Sequence, residues 1–384
     1  MRRRFKKNFC ALLLLCALLS GGCTKQAGGQ DLPEDRQEEA IQIGITFDSF
    51  IIERWQRDRD VFVSTARELG AEVNVQNANG DMKEQIAQID YFIQKKMDAI
   101  VIVMVASGED GSGLVEAVKR AQRAGIPVIA YDRLILNADV DLYISFDNVQ
   151  VGRLMGEHMR EHLEEGGELL QVCGPLADYN VPQVMEGFEE ALAGSELKVM
   201  ETAYAESWLG ETGAVVTSEY LKEHYDVDGI MCGNDNIAGN AVRALSERRM
   251  AGKVCVVGQD ADLDACQRIV EGTQCMTVYK PVEKLARRAA ELSVALAEGE
   301  KIRVLDAGGA DAVTVTQDAD GSVTITQNAD GEQTSITVLE SIHDGTYQVP
   351  YERLEPVAVT KENMDEVITG KYHEESDIYL NVRN

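Results

Sequence analysis

The chain has 384 residues, with 37 Lys and Arg against 65 Asp and Glu, giving a formal charge of −28. Without the first 22 residues, which hold five basic and no acidic residues, 32 basic residues face 65 acidic ones, a charge of about −33. A body this acidic repels phosphate backbones, which argues against nucleic-acid binding, while 45% hydrophobic content and this length predict a globular chain of about two or three domains.

The N-terminus has the pattern of an export signal. Basic residues between Arg2 and Lys7 precede an apolar run over 9–19 that is too short to span a bilayer, and Ser20-Gly-Gly precedes Cys23. A cysteine directly after small residues resembles a bacterial lipobox, in which the cysteine is lipidated and becomes the mature N-terminus. We predict a lipoprotein signal peptide over 1–22, lipidation of Cys23 and a flexible tether over 23–40. An ordinary secretory signal is the alternative.

The body alternates apolar strands with helices in two series. The first series has predicted strands at 41–47, 72–76, 99–105, 127–131 and 142–145, and helices at 54–69, 82–95 and 113–124. The second has strands at 168–173, 198–203, 229–232, 254–257 and 274–278, and helices at 149–163, 181–193, 211–224, 237–248 and 263–270. Apolar strands separated by helices imply parallel sheets covered on both faces, and the number of units implies two doubly wound α/β lobes.

The C-terminal region departs from this alternation. Thr314-Val-Thr-Gln-Asp-Ala-Asp-Gly321 recurs ten residues later as Thr324-Ile-Thr-Gln-Asn-Ala-Asp-Gly331. Alternating β-branched residues with Asp-Gly turns predict a β-hairpin or short meander, which forms a β-rich insertion at about 308–345.

The cysteines do not predict a disulfide framework or a metal site. Export implies an oxidising compartment, but five cysteines follow the signal region, an odd number without a C-x-x-C pair. Cys173, Cys232 and Cys255 lie in apolar runs and are expected to be buried.

One histidine pair matches a metal-binding pattern. His158-Met-Arg-Glu-His162 has the H-x-x-E-H spacing of a small group of zinc peptidases. Its charged surroundings favour a solvated helix face, and no third ligand is evident from the sequence. A P-loop and a G-x-S-x-G elbow are also absent from the sequence, so neither a cofactor nor an enzymatic activity is predicted.

Polar and aromatic residues recur where the predicted strands end. They are Arg54, Trp55, Asp132, Arg133, Asp178, Asn180, Trp208, Asn234, Asp260 and Lys280. Doubly wound lobes bind ligands beyond the carboxyl ends of their strands. Carboxylates, amides and cations bind hydroxyl groups, and an aromatic face covers C–H groups, so the set predicts a site for a neutral polyol. Any single Asp or Asn here is equally well explained as a turn or N-cap residue.

Several segments resemble the sugar-binding proteins of bacterial ABC importers, a branch of the periplasmic-binding-protein family. They include Glu53-Arg-Trp-Gln-Arg-Asp-Arg-Asp60, Ala130-Tyr-Asp-Arg133, Tyr143-Ile-Ser-Phe-Asp-Asn148, Gly258-Gln-Asp-Ala-Asp-Leu263 and Glu271-Gly-Thr-Gln-Cys-Met-Thr-Val-Tyr-Lys-Pro281. The resemblance covers about 41–302 and 354–374. It implies type I lobes joined by a three-segment hinge, with 41–148 and 282–304 in the N-terminal lobe and 149–281 and 305–375 in the C-terminal lobe.

The resemblance also implies roles for the strand-end residues. The lobes would close on one pentose, with D-xylose the expected sugar, and Trp55 and Trp208 would flank its ring. The residues that would hydrogen-bond its hydroxyls are Arg54, Asp132, Arg133, Asn180, Asn234, Asp260 and Lys280, with Asp178 beside them. Two departures leave the identity of the sugar open: Tyr179 replaces an amide of the family, and the loop 104–111 is longer and more acidic.

We therefore expect a monomeric extracytoplasmic solute-binding protein that is held to the membrane by a lipid only and delivers a monosaccharide to an ABC permease. The alternative is a sugar sensor that presents its ligand to a membrane receptor or histidine kinase, which the sequence does not distinguish. A LacI-type repressor would need an N-terminal helix-turn-helix where this chain has a signal. A carbohydrate enzyme would need a water and a leaving group, which a closed pentose pocket does not offer.

Overall fold

The computed structural model describes residues 40–52, 54–105, 111–206, 208–224, 227–304, 314–317, 323–326 and 335–382. The predicted signal peptide, Cys23 and nearly all of the tether lie outside the described residues, as do much of the loop 104–111 and parts of the insertion. Among the described residues, every helix is too short or too polar to cross a bilayer.

The elements follow one another as a βα alternation with a β-rich end. They are β1 (Gln42–Phe47), α1 (Arg54–Glu68), β2 (Glu72–Asn77), α2 (Met82–Lys95), β3 (Ala99–Ile102), α3 (Ser112–Arg123), β4 (Val128–Tyr131), β5 (Leu142–Phe146), α4 (Asn148–His162), β6 (Gly167–Cys173), α5 (Asn180–Leu192), β7 (Leu197–Tyr204), α6 (Glu211–Glu223), β8 (Gly229–Cys232), α7 (Asp235–Glu247), β9 (Cys255–Gln259), α8 (Leu263–Glu271), β10 (Met276–Tyr279), α9 (Val282–Ala297), β11 (Ile302–Val304), β12 (Thr314–Gln317), β13 (Val323–Thr326), β14 (Ser335–His343), β15 (Gln348–Leu354), β16 (Val357–Thr360), α10 (Met364–Val367) and α11 (Glu375–Ile378). Each predicted strand and helix of the two series is present, and its ends agree within three residues.

The N-terminal lobe is built on a parallel sheet in the order β2-β1-β3-β4-β5. One face packs against α1 and α9, and the other packs against α2 and α3, so that each face buries its own apolar cluster. This is why the strands are apolar along their whole length.

The C-terminal lobe has a sheet in the order β7-β6-β8-β9-β10-β16, parallel except for β16. Helices α4 and α5 pack closely on one face because Gly152 and Gly187 lie directly against the backbone of the opposite helix, where a Cβ atom would not fit. This contact fixes α5, whose first residue is Asn180. The two sheets confirm the predicted class of two doubly wound α/β lobes.

Three chain segments cross between the lobes. The crossings run from β5 to α4, from β10 to α9 and from β15 to β16, and each is only a few residues long. Short parallel connections of this kind let two lobes rotate against each other without unfolding either sheet.

The C-terminal strands correct one boundary. The sequence placed 305–375 in the C-terminal lobe, but β12 to β15 extend the N-terminal sheet, because β15 pairs in parallel with β5 and antiparallel with β14. Tyr351 of β15 stacks on Tyr143 of β5 with ring centroids 4.8 Å apart. Within the predicted range 305–375, only the part from β16 onward belongs to the C-terminal lobe. The predicted meander is present, since β12, β13 and β14 pair antiparallel in sequence order.

Candidate ligand-binding site

The two lobes meet around one small cavity of about 300 Å³. We call its two sides the N-terminal wall, formed by Ile52, Arg54, Trp55, Asp132 and Arg133, and the C-terminal wall, formed by Asp178, Asn180, Trp208, Gln259, Asp260 and Lys280. The cavity lies at the carboxyl ends of the strands of both sheets, where doubly wound folds bind ligands. Nine of the ten residues singled out from the sequence therefore come together here.

Equivalent turns aim one carboxylate from each lobe at the cavity. Asp132 follows β4 and Asp260 follows β9, with φ angles of 65° and 100°. Their backbone N–H groups donate to the neighbouring strands, Asp132 to Ile144 and Asp260 to Val278, at 2.8 Å each. Left-handed backbone is uncommon outside glycine, and it turns the chain sharply enough to point both side chains inward.

Buried ion pairs organise the N-terminal wall. Arg54 donates to the carboxylate of Asp132, while Arg133 donates to Asp48 and to the carbonyl of Met104 at 2.7 Å each. Burial alone would raise the pKa of Asp132, but the positive charges of Arg54 and Lys280 hold this pKa below its usual value. Asp132 is therefore a carboxylate that can accept hydrogen bonds at any physiological pH.

A second buried carboxylate supports this wall from behind. Asp58 of α1 accepts a hydrogen bond from the hydroxyl of Tyr131, and burial raises its pKa to about 7 against the opposing charge of Arg54. Asp58 was not identified from the sequence, because its helical position gives no sign that it faces Tyr131 rather than solvent.

One tryptophan from each lobe lines the cavity. Trp55 is 1% exposed, with the guanidinium of Arg54 lying 4.1 Å from its ring centroid. The indole N–H of Trp208 donates to Asp178 at 3.1 Å, and its ring lies against Gly174, where a side chain would not fit. Aromatic faces held in this way can cover the C–H groups of a ligand.

The C-terminal wall contacts the N-terminal wall directly. Within its own lobe, Lys280 lies 3.3 Å from Asp260. Across the cleft, the amide of Asn180 donates to Asp132 at 3.1 Å, and Arg133 lies 2.6 Å from Asp178. These contacts hold the two lobes together in a closed arrangement.

Several polar atoms at the cavity have no protein partner among the described residues. They are the donors Arg54 Nη1 and Trp55 Nε1 and the acceptors Asn180 Oδ1 and Gln259 Oε1, all buried. A buried polar group without a hydrogen bond costs about 1–3 kcal/mol, so such groups favour a ligand that supplies both donors and acceptors. Hydroxyl groups do both.

The side chains that line the cavity carry equal numbers of positive and negative charges. Three cations, Arg54, Arg133 and Lys280, face three carboxylates, Asp132, Asp178 and Asp260. Because a charged ligand would leave one buried charge uncompensated, the balance favours a neutral ligand.

The structure places Asn234 differently from the other predicted residues. Its side-chain oxygen accepts a hydrogen bond from the backbone N–H of Ile237 at 2.8 Å and caps α7, and Asn234 is not among the residues that line the cavity. Gln259, which the sequence analysis missed, lines the cavity instead and donates to the carbonyl of Gly233. Its place directly before Asp260 was the available signal.

Known proteins resemble the chain along most of its length. The model of the periplasmic binding protein domain matches residues 43–301. The D-xylose-binding periplasmic proteins of Haemophilus influenzae and Escherichia coli are 37% and 35% identical, each over 88% of this chain and 92% of the relative. An ABC transporter solute-binding protein from Clostridium phytofermentans, solved with bound β-D-glucose, has a TM-score of 0.69 at 25% identity and covers 88% of this chain and 99% of its own.

Proposed function

The chain belongs to the periplasmic binding protein family, and from that premise we propose that it captures D-xylose between its lobes and delivers it to an ABC sugar importer. The cavity shared by the two walls carries the proposal, because it is enclosed, charge-balanced and equipped with buried donors and acceptors that suit a neutral polyol. Two relatives with more than a third of their residues identical are D-xylose-binding periplasmic proteins. As a member of a family of solute-binding proteins, the chain is a transport component and not an enzyme.

The contacts between the two walls favour a monosaccharide. The walls touch through Asn180 and Asp132, so the space between them is small. A tryptophan in each wall can cover one face of a sugar ring, while the charged groups around it bind the hydroxyls. A disaccharide would have to separate the walls and break the contacts between Asn180 and Asp132.

Binding and lobe closure are coupled in this mechanism. A sugar that hydrogen-bonds Arg54 and Asp132 on one wall and Asp260 and Lys280 on the other stabilises only the closed arrangement, so it shifts the population from open to closed. The closed arrangement presents the surfaces of both lobes together, and a permease can recognise that pairing. The three crossings between the lobes act as the hinge.

A calorimetric titration tests the proposed ligand. The panel is xylose, arabinose, ribose, glucose and galactose, and we expect xylose to bind most tightly. Asp260→Asn should weaken xylose binding roughly 10–100-fold, because it removes a charged hydrogen-bonding group. Asp264→Asn, on an aspartate of the same lobe whose side chain is 72% exposed, is the matched control. Failure of every sugar to bind, or equal binding by the Asp260 variant, would contradict the proposal.

We also propose that Tyr179 does not select the sugar. Tyr179 is half-buried and packs against the apolar cluster of the N-terminal lobe, and it is not among the residues that line the cavity. Tyr179→Asn should leave the order of sugar affinities unchanged. A change in that order would show that the residue reaches the ligand.

Export and lipid anchoring are part of the same proposal. The basic, apolar and small-residue pattern before Cys23 supports a signal peptide whose removal leaves a lipidated cysteine at the mature N-terminus. Cys23→Ala should release the protein from the membrane fraction without changing sugar affinity. A protein that stays in the membrane fraction after this substitution would exclude the anchor.

We propose that the protein works as a monomer, because a single chain supplies both walls of the cavity. Light scattering coupled to size-exclusion chromatography, with and without xylose, should give the mass of one chain in both states. A dimer in either state would contradict this part of the proposal.

A further inference from the structure

Two histidines and two cysteines converge in the C-terminal lobe, away from the cavity. His158 and His162 lie on α4, Cys255 begins β9 and Cys275 directly precedes β10; we call them the Cys-His cluster. One ligand atom from each residue lies within 4.8 Å of the others. The Sγ atom of Cys275 lies 3.9 Å from Nε2 of His162.

Regular secondary structure brings these residues together. His158 and His162 are four positions apart on one helix and share a face, with ring centroids 6.1 Å apart. β9 and β10 are parallel neighbours, and the backbone N–H of Cys275 donates to the carbonyl of Val256 at 2.8 Å. Because α4 packs against the sheet over these strands, the histidine face meets the thiols.

The chemistry of the cluster matches one class of ligand. Two thiols and two imidazoles form the Cys₂His₂ set that holds zinc tetrahedrally, whereas calcium and magnesium require oxygen ligands. All four residues are available: both cysteines are free, and the buried Nε2 atom of His158 has no hydrogen-bond partner within the described part of the chain. His162 is exposed, so an ion can reach the cluster from solvent.

The surface around the cluster is polar and open. The depression that contains His158, His162 and Cys275 is also lined by Lys253, Lys361 and Glu362. Two of these are cations, but both can swing their flexible side chains into water while an ion enters. Because two lysines lie beside the cluster, its affinity for a metal ion has to come from the cysteine and histidine ligands and not from net negative charge.

We propose that the Cys-His cluster binds a zinc ion with four protein ligands. The ion would tie α4 to β9 and β10 and so stabilise the C-terminal lobe. Asp260 follows Cys255 by five positions, about 16 Å along β9, which places the zinc site and the sugar cavity at opposite ends of the same strands. Zinc therefore stabilises the fold without being a ligand of the sugar.

Disulfide formation would compete directly with zinc binding. Cys255 and Cys275 lie on adjacent strands with their sulfur atoms within 4.8 Å, and an oxidant could join them in a disulfide. A disulfide would remove two of the four zinc ligands at once, so the two states exclude each other. The test has to measure both.

The experiment uses the purified protein, reduced and freed of metal with a chelator, and titrates it with zinc and separately with cobalt. We expect one equivalent of zinc to bind and to raise the Tm, and cobalt to give the visible bands of a tetrahedral site with a thiolate-to-cobalt charge-transfer band. His162→Ala and Cys275→Ser should each weaken zinc binding by at least roughly 10–100-fold, since even the loss of a supporting group costs that much. Both variants should still bind xylose as the parent does, which shows that they are folded.

Matched controls come from the same lobe. His224→Ala changes an exposed histidine after α6, and Cys266→Ser changes a buried free cysteine of α8; both should bind zinc as the parent does. Zinc binding that survives His162→Ala and Cys275→Ser, or a cobalt complex without the charge-transfer band, overturns the proposal. A Cys255–Cys275 disulfide found by peptide mapping in the protein isolated from its own compartment, without a reductant, also overturns it.

Discussion

The two walls of the cavity are held in different ways. The two arginines of the N-terminal wall are fixed by buried partners in their own lobe: Arg54 by Asp132, and Arg133 by Asp48 and the Met104 carbonyl. In the C-terminal wall, Trp208 depends on one hydrogen bond to Asp178, and Asp260 on its pairing with Lys280. We therefore expect the N-terminal wall to be organised before the lobes close, and the C-terminal wall to gain more of its order on closure.

The two walls should therefore respond differently to substitution. A change in the N-terminal wall breaks a buried charge network and lowers both the free energy of unfolding and sugar affinity. A change in the C-terminal wall should act mainly on affinity, because fewer buried partners are left uncompensated. Single substitutions in each wall separate the two effects.

Arg54→Met should have the largest effect, because it leaves Asp132 and Asp58 buried without their main cation. Removing one partner of a buried ion pair costs about 3–5 kcal/mol, and we expect this loss of stability together with loss of measurable xylose binding. Urea unfolding and calorimetry measure the two effects. Arg59→Met is the matched control, since Arg59 lies on the same helix and pairs with the exposed Asp60. Normal stability in the Arg54 variant would mean that the wall is not organised in advance.

Lys280→Met should lower affinity, with a smaller loss of stability than Arg54→Met. The lysine is 5% exposed and lies in the C-terminal wall; among the described residues, its loss leaves the more distant Arg54, at 3.9 Å, as the cation that faces Asp260. We expect xylose binding to weaken roughly 10–100-fold, the effect of one charged hydrogen bond. Lys284→Met, on an exposed lysine of α9, should leave affinity unchanged. A fall in the free energy of unfolding as large as that of Arg54→Met would mean that the two walls respond to substitution in the same way.

Trp208→Ala should weaken xylose binding about tenfold, since an aromatic contact contributes about 0.5–1.5 kcal/mol beyond the area that it buries. The Trp208 side chain is only half-buried, so the free energy of unfolding should change little. Trp208→Phe keeps an aromatic ring face but loses the hydrogen bond to Asp178. Its xylose affinity should lie between those of the parent and the Ala variant. A Phe variant as weak as the Ala variant would assign the effect to the hydrogen bond.

Asp344→Ala should give the smallest effect, and one on stability alone. Asp344 lies in the turn between β14 and β15 and accepts hydrogen bonds from the backbone N–H groups of Ala138, Asp139, Thr346 and Tyr347. Loss of a side chain that accepts hydrogen bonds from free backbone N–H groups, as a helix N-cap does, costs about 1 kcal/mol. Xylose affinity should be unchanged, because this turn lies outside both walls.

The same residue predicts a dependence on pH. Burial would raise the pKa of Asp344, but the backbone N–H donors hold it below its usual value. A lowered pKa in the folded state means that the stabilisation is present above the unfolded value of about 4 and is lost as the pH falls through the folded pKa. The stability difference between the parent and Asp344→Ala should therefore shrink below about pH 4. A difference that stays constant with pH would contradict the shift.

Local pattern predicted much of the fold and most of the cavity. Strand-end residues such as Asp132 and Asp260 could be named because apolar runs locate each strand, and the carboxyl ends of parallel strands meet on one side of a sheet. Asn234 stays a predicted ligand residue, although its side-chain oxygen caps α7, because an N-cap residue at a strand end has the same local pattern as a ligand residue. Gln259 was missed because an amide at the end of a strand has no pattern of its own.

Local sequence patterns were enough to predict the two α/β lobes, the alternation of their elements and the chemical character of the cavity, because each depends on contacts within a strand, a helix or a turn. The tertiary structure was needed to show that β15 joins the N-terminal sheet and that Cys255 and Cys275 meet His158 and His162. Both results depend on which distant segments pair. Pairing between segments more than 90 residues apart is set by the packing of whole sheets and helices, and local pattern carries no record of it.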